Sequence, residues 1–326
     1  MNPTDYSLFR HTGSRCALRF HRDQVLHYNS PMNLRRSGTA FCFAFFIGSV
    51  FVPYSQAQHP APKASGARIL LLPRRIVSGE RATLAVLDVN GRLTPGVTVN
   101  FSNGDRLTTD ATGRALFVAP LNAGVIFGSI AGRMGRVTTA IVSPSEAASA
   151  SMEVSSVPRV ASLSDHFEIL GRGFCGDADA NQVSIAGQPA IVLASSPAAL
   201  MVLPPTELQP GAAAVEVTCA KRQSPPFSVT FVGLELEADS SVLKPGEHRV
   251  LTVRARGTTA KIALEARNLA PDIAELSGGN PVRASSSGDA ENLAKFEVVG
   301  RKNGSFLIAI RLVPSLGLPQ SANQPK

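Results

Sequence analysis

Three consecutive residues have side chains of the types that support nucleophilic catalysis: Ser164, Asp165 and His166. A hydrolytic triad needs a base that takes the hydroxyl proton and a carboxylate that orients the base. Consecutive side chains of an extended segment point to opposite sides, so these three cannot pass a proton in a row. The sequence also lacks the His-Glu-x-x-His, Gly-x-Ser-x-Gly and Gly-Lys-Ser/Thr motifs of common enzymes. We therefore predict no catalytic residue, no cofactor and no enzymatic activity.

A second candidate for chemistry is a short acidic loop. Asp177, Asp179 and Asn181 have the 1-3-5 oxygen spacing of a calcium-binding loop. Such a loop needs Gly at its sixth position and Glu at its twelfth, where this sequence has Gln182 and Gln188. Two carboxylates and one amide on a loop are more often a solvated turn, so we predict no metal site.

An apolar run near the start indicates where the protein works. Thr39–Val52 contains only apolar and small residues, follows Arg35 and Arg36, and precedes a small-x-small motif that ends at Ala57. This order is typical of a secretory signal peptide. The run is shorter than the roughly 20 residues that span a bilayer. We predict a signal peptide over 32–57, cleavage between Ala57 and Gln58, and a secreted, periplasmic or cell-surface protein with no membrane span in its mature chain.

The segment before Met32 does not fit this signal architecture. Residues 1–31 show neither a strand period nor a helix period. A start at Met32 would place a basic stretch directly before the apolar core, as signal peptides require. Residues 1–31 are therefore an overextended gene start, a disordered extension or part of a genuine long signal sequence.

The cysteines follow from the export prediction. The sequence has four Cys, of which Cys175 and Cys219 follow the predicted cleavage point. Two Cys in an exported chain more often form one disulfide than remain two free thiols. A thiol nucleophile would need a nearby base, and His166 is the one His in the same part of the sequence. We predict a structural Cys175–Cys219 disulfide.

Charge and aromatic content exclude two classes of ligand. The formal net charge is +8, but no basic cluster follows Ala57, so the sequence lacks the electrostatic footprint of nucleic-acid binding. The sequence has no Trp, and its three Tyr all precede Gln58. Flat Trp and Tyr rings commonly form sugar-binding platforms, so this composition disfavours a carbohydrate-binding module. A protein or cell-surface partner remains, and the sequence sets no oligomeric state.

From Arg68 onward the chain repeats short β-rich runs that are separated by Gly, Pro, Asn and Asp. This pattern is typical of antiparallel β-sandwiches. A Pro/Ser/Ala-rich stretch at 143–151 and a shorter hinge near Gly233 divide the runs into three units, which we expect to fold largely independently. The predicted units are 68–142, 156–232 and 234–313, and residues 314–326 are predicted to be a disordered tail.

The first two units have motifs of known families. In the first, Asn90-Gly91 and the turn formers Asp110–Gly113 each precede a β-rich run, and this unit resembles bacterial Ig-like domains of the invasin type. In the second, Ile169–Phe174 matches I-x-G-x-G-F, Val183–Gly187 matches V-x-I-x-G and Val202–Pro205 supplies a V-P-P segment. The second unit therefore resembles an IPT/TIG domain, although the usual Pro-x-x-Gly-Gly stretch before its second strand is replaced.

The third unit has no comparable motif. Arg249–Arg254 alternates polar and apolar residues, as a strand with one solvated face does. We interpret it as a further Ig-like sandwich, so the predicted fold class is all-β, with tandem immunoglobulin-like β-sandwiches behind a cleaved signal peptide. The resemblances imply an exported interaction or spacer protein that does not catalyse, with adhesion as one role. The alternative is an accessory binding module of an extracellular polysaccharide- or protein-processing system.

Overall fold

The computed structural model describes residues 68–147, 151–237 and 243–321. Nearly all their regular structure is β-strand, which confirms the all-β prediction. Within these ranges the helical segments are α1 (Pro144–Ala147) and one 3₁₀ turn (Ala178–Ala180). The predicted signal peptide, its cleavage point at Ala57 and Gln58, and residues 1–31 lie outside the described residues.

The first sandwich contains eight strands. They are β1 (Arg68–Leu71), β2 (Arg75–Val77), β3 (Arg81–Asp88), β4 (Thr98–Phe101), β5 (Arg106–Thr108), β6 (Arg114–Val118), β7 (Gly124–Ile130) and β8 (Arg136–Val142). One sheet has the order β1-β3-β6, and the other has the order β2-β8-β7-β4-β5. Their inner faces enclose a core that includes Leu84, Val99 and Ile126.

The second sandwich contains nine strands. They are β9 (Glu153–Pro158), β10 (Val160–Ser162), β11 (Phe167–Arg172), β12 (Asn181–Ile185), β13 (Gln188–Ser196), β14 (Ala199–Leu203), β15 (Gly211–Cys219), β16 (Arg222–Gln223) and β17 (Phe227–Glu237). One sheet has the order β9-β11-β14-β13, and the other has β10-β17-β15-β12, with β16 also on β15. Its core includes Ile169, Val215 and Phe231.

The third sandwich uses the far half of β17. Its other strands are β18 (His248–Arg256), β19 (Ala263–Asn268), β20 (Ala274–Leu276), β21 (Val282–Ser285), β22 (Leu293–Gly300) and β23 (Ile308–Leu312). One sheet has the order β17-β18-β22-β20, and the other has β21-β19-β23. Its core includes Leu251, Leu264 and Phe296.

The hinge predicted near Gly233 is wrong, because Gly233 lies inside a continuous strand. The first half of β17 pairs with β15 up to Phe231. The second half pairs with β18 from Gly233 to Glu237. Since pairing continues on both sides of Gly233, the backbone has no free segment in which to bend. The second and third sandwiches therefore share one strand.

The tail predicted to be disordered is ordered over its first part. Two short strands, β24 (Leu316–Gly317) and β25 (Gln320–Ser321), follow the third sandwich. β24 pairs with β9, and β25 pairs with the start of β17. Backbone hydrogen bonds to these strands order the chain, which composition alone does not disclose. The remaining tail residues, 322–326, lie outside the described part.

The strands β1 and β3 are buried on both faces, unlike strands with one solvated side. Leu70 packs into the core of the first sandwich. Ile69 and Leu71 point the other way and pack with Leu193 and Met201 of the second sandwich. This second cluster is an apolar interface between the two sandwiches. Burial on both faces requires the near-continuous apolar run that β1 carries.

Candidate functional site

The structure confirms the predicted disulfide. Cys175 lies in the loop after β11 and Cys219 ends β15, with their Cα atoms 5.9 Å apart. The loop is also held by Asn181, whose Oδ1 accepts from the Cys175 N–H at 2.9 Å and whose Nδ2 donates to the Cys175 carbonyl at 2.9 Å. The Cys175–Cys219 link therefore fixes the loop that follows β11 to the end of β15.

The acidic loop uses its oxygens to build structure. Asp177 Oδ1 accepts from the Asp179 N–H at 3.1 Å and caps the 3₁₀ turn. Asp179 forms an ion pair with Arg114 of β6 at 2.8 Å, and Asn181 Nδ2 donates to the Asp177 carbonyl at 2.8 Å. Among the described residues no group of three or more His, Cys, Asp or Glu is placed to hold a metal ion.

The Ser164-Asp165-His166 segment does not assemble a triad in the described structure. His166 Nδ1 lies 3.0 Å from Asp165 Oδ1, and the His166 side chain is 5% exposed. The Ser164 hydroxyl lies 3.2 Å from that of Ser162. The imidazole thus has a carboxylate partner, while the hydroxyl is bonded to another serine.

The loop after β11 also forms a joint with the first sandwich. The Gly176 carbonyl accepts from the Thr83 hydroxyl at 2.9 Å and the Ser195 hydroxyl at 2.7 Å. The Thr83 hydroxyl in turn accepts from the Ala178 N–H at 3.1 Å. A Cβ at Gly176 would lie 2.0 Å from the Arg81 carbonyl oxygen, so this close approach requires glycine.

A buried carboxylate forms another part of the same joint. Glu168 on β11 accepts from the Arg74 backbone N–H at 3.0 Å and pairs with Arg74 Nε at 2.9 Å. Burial raises the pKa of Glu168, and the hydrogen bond and charge of Arg74 oppose this effect only in part. Hydrogen bonds, an ion pair and the apolar cluster together fix the first sandwich against the second.

Two cavities adjoin strand β6. A cleft of about 520 Å³ lies between the first two sandwiches. It is lined by apolar groups that include Val118 and Phe174, by the disulfide residue Cys175, and by Arg81 and Arg222. A smaller pocket of about 150 Å³ lies within the first sandwich, where Val118 also contributes to its wall. Val118 therefore lines both cavities.

The edge of β6 itself is open. β6 pairs with β3 on one side, and the described residues provide no strand on its other side. Leu116 and Val118 are 45% and 61% exposed on this strand. The sequence predicted this strand but not its position at the edge of a sheet. The signal that could have indicated a surface role is the uncharged run from Ala115 to Ala119, directly before Pro120.

A third cleft lies between the second and third sandwiches and has a different character. Its volume is about 610 Å³, and its walls include Arg254 and Arg256. Arg254 pairs with Glu237 and Arg256 pairs with Glu235, both at 2.7 Å. The guanidinium groups of this cleft therefore already have carboxylate partners, whereas those of Arg81 and Arg222 beside β6 have none among the described residues.

These features define the class of molecule: a chain of Ig-like β-sandwiches that are joined by backbone pairing, with the Cys175–Cys219 disulfide in the second sandwich. Within the described ranges, no helix is long and apolar enough to cross a membrane. Neither a protein-family model nor a curated protein matches the sequence.

Several solved structures have a distant likeness to the chain. A Bacteroides ovatus mixed-linkage glucan utilization protein, SGBP-B, in complex with a heptasaccharide, is 13% identical over 74% of this chain and 74% of its own, with a TM-score of 0.32. Domains 4 and 5 of the S-layer protein SbsC are 16% identical over 74% and 96%, with a TM-score of 0.20. Immunoglobulin domains 1–4 of Sidekick-1 are 12% identical over 76% and 73%, with a TM-score of 0.21. Function must therefore be argued from the residues of this chain.

Proposed function

We propose that the protein is an exported, non-catalytic interaction or spacer protein of the cell envelope or the extracellular space. The observation that carries this proposal is the way its sandwiches are joined. β17 runs from the second sandwich into the third, and β24 returns from the third to the second. Thr83 and Ser195 pair across the first joint. Fixed joints are what a spacer or a binding arm requires, since they hold a binding surface at a set orientation.

The disulfide supports the proposed location. Disulfides persist in oxidising compartments and are rare in the cytosol, and Cys175–Cys219 is fully formed. The predicted signal peptide gives the route to such a compartment.

Export leads to a direct test at the N-terminus. Sequencing of the secreted or periplasmic protein is expected to begin at Gln58 or within a few residues, because the cleavage motif ends at Ala57. The cell fractions should be compared in parallel. Recovery of a chain that begins at Met1 or Met32 from the cytosol, with no processed form elsewhere, would contradict export.

The non-catalytic part of the proposal has its own test. The purified protein is expected to show no turnover on panels of glycosidase, esterase and protease substrates, because the Ser164 hydroxyl is bonded to Ser162 and not to His166. The variant Asp165→Asn would remove the carboxylate that faces His166. Turnover that this variant abolishes, with circular dichroism unchanged, would replace the proposed function with an enzymatic one.

The binding part is tested on the protein's own cell envelope. The labelled protein is expected to bind envelope fractions saturably, and protease treatment of the envelope should remove the sites. Equal binding to treated and untreated envelopes, or none to either, would count against a protein partner.

A further inference from the structure

We propose that the open edge of β6, with its two adjoining cavities, docks an extended apolar segment of a partner protein that carries a carboxylate at one end. This inference rests on the proposed function, in which the protein binds a protein partner, and it names where and what the protein binds.

The backbone of β6 has hydrogen-bonding groups that do not face β3. Val86 N–H donates to the Gly113 carbonyl at 3.1 Å, and Ala119 N–H donates to the Glu80 carbonyl at 2.9 Å. In an antiparallel pair every second residue bonds to the same neighbour, so Ala115 and Phe117 bond to β3 together with Gly113 and Ala119. The alternate residues Leu116 and Val118 therefore turn their N–H and C=O groups away from β3. An added strand could pair with those groups, which is the β-augmentation mode of peptide recognition.

The edge of β6 lacks the usual protection against pairing. Natural sheet edges are usually protected from pairing by charges, bulges or a covering segment. From Ala115 to Ala119 this edge has no charge. The preceding Arg114 is held by Asp179 and by the Val192 carbonyl, both at 2.8 Å, so it does not reach over the edge. The edge is therefore open to an apolar strand.

The inner face of an added strand would lie over the smaller pocket. Phe117 faces the core side of its sheet, where it packs against the core of the first sandwich. The pocket of about 150 Å³ is located there, with walls that include Phe101, Leu107, Phe117 and Ile126. Asn103 and Asp105 also line this pocket, so its wall is apolar only in part. A cavity of about 150 Å³ has room for a group of benzene size. A leucine or phenylalanine of the docked segment, on the same side as Phe117, would fill this pocket.

Two guanidinium groups lie at the Val118 end of the edge. Arg81 lies opposite Val118 in the register of β3 and β6, and it lines the larger cleft with Arg222. Among the described residues neither guanidinium has a carboxylate partner within ion-pair distance. Arg222 Nη2 donates to the Cys219 sulfur at 3.7 Å. Guanidinium groups bind carboxylates through paired hydrogen bonds, so a segment with an acidic end complements this cleft.

Two acidic side chains also line the cleft and must be counted. Asp177 accepts from the Asp179 N–H and caps the 3₁₀ turn, but its carboxylate keeps its negative charge. Glu80 has no ion-pair partner among the described residues, and it offsets one of the two guanidinium groups. The four formal charges of the lining therefore cancel, and the preference for an acidic end rests on Arg81 and Arg222, which have no carboxylate within ion-pair distance among the described residues. Neutralisation of Glu80 should strengthen that preference.

The test uses three fluorescent octapeptides of alternating threonine and leucine. The first peptide has aspartate at its first position, the second has aspartate at its last position, and the third has asparagine at both. Both aspartate positions are needed because an antiparallel and a parallel docked strand place opposite ends at the cleft. Fluorescence anisotropy with the purified protein is expected to show at least fivefold tighter binding of one aspartate peptide than of the asparagine peptide. The Glu80→Gln variant should widen this ratio, and the double variant Arg81→Ala and Arg222→Ala should reduce it to about one.

Edge variants locate the site. Val118→Lys is expected to weaken binding of every peptide at least tenfold, because it places a charge on the docking edge. Val125→Lys is the matched control, since Val125 is 57% exposed on β7, which lies inside its sheet, and it should leave binding unchanged. Equal effects of the two variants, or a dimer of the protein that Val118→Lys dissociates, would overturn the proposal.

If Val118→Lys leaves envelope binding intact, the docking site is wrong while the proposed function stands. If the unaltered protein does not bind envelopes, the proposed function itself fails.

Discussion

Loss of the disulfide is expected to lower the free energy of unfolding of the second sandwich by about 4 kcal/mol. The bond joins residues 44 positions apart, and closing a loop of that length restricts the unfolded chain by roughly this amount in the chain-entropy model. The change is the double variant Cys175→Ala and Cys219→Ala, which avoids leaving a polar atom at the fully buried Cys219 position. Urea denaturation, with and without a thiol reductant, measures it.

The effect should extend to the first sandwich. Cys175 begins the loop whose Gly176 carbonyl and Ala178 N–H bond to the Thr83 hydroxyl. A looser loop weakens this joint, so limited proteolysis should cut faster in the 143–151 stretch. The control is Ser164→Ala, an exposed change in the same sandwich, which should shift stability by less than about 0.5 kcal/mol. A double variant as stable as the control would show that the bond does not contribute to stability.

The sequence was sufficient for those features that depend on neighbouring residues. Period and turn residues predicted most strands, because alternation and turn chemistry are local. The disulfide followed from the presence of one Cys pair beyond the predicted cleavage point. Gly233 was misread because glycine is a common turn signal, whereas here pairing partners on both sides keep the backbone extended.

Features that depend on distant residues could not be predicted in this way. Asp179 belongs to a calcium-like spacing, but its partner Arg114 is 65 residues away in sequence. The ordered backbone at Gly317 depends on pairing with β9, which lies more than a whole sandwich earlier in the sequence. The candidate docking edge shows the same limit, since the sequence of β6 does not state which strands flank it. The shared strand and the apolar interface also favour coupled unfolding over the independent folding expected from the sequence.

The ion triad of the third sandwich carries the other large expected effect. Glu265 on β19 is 3% exposed, and its two oxygens accept from Arg283 Nε and Arg311 Nε, each at 3.0 Å. Replacement by Ala would remove the buried carboxylate that both guanidinium groups contact. Removal of one member of a buried ion pair costs about 3 to 5 kcal/mol, and we expect about 3 kcal/mol because the Arg283 side chain is 67% exposed.

The matched control is Glu275→Ala. Glu275 pairs with Arg301 in the same sandwich, but both side chains are about half exposed. Exposed ion pairs contribute about 0 to 1 kcal/mol, so this variant should differ little from the unaltered protein. Thermal and urea denaturation of the two variants measure the contrast. Equal losses would show that burial of Glu265 does not set the strength of its ion pairs.

The pH dependence of the same group gives a second measurement. Burial raises the pKa of Glu265, but the hydrogen bonds from Arg311 and Arg283 outweigh it, so the pKa lies below the ordinary value of 4.5. A carboxyl with a depressed pKa stabilises the folded state above its unfolded pKa and loses that contribution as pH falls through the folded pKa. The stability difference between the unaltered protein and Glu265→Gln should therefore be largest near neutral pH and shrink below about 4.5. Glu168, whose pKa is raised, acts with the opposite sign, and because both proteins retain it, its effect cancels in the difference. A difference that stays constant from pH 7 to pH 3 would contradict a charged Glu265 in the folded protein.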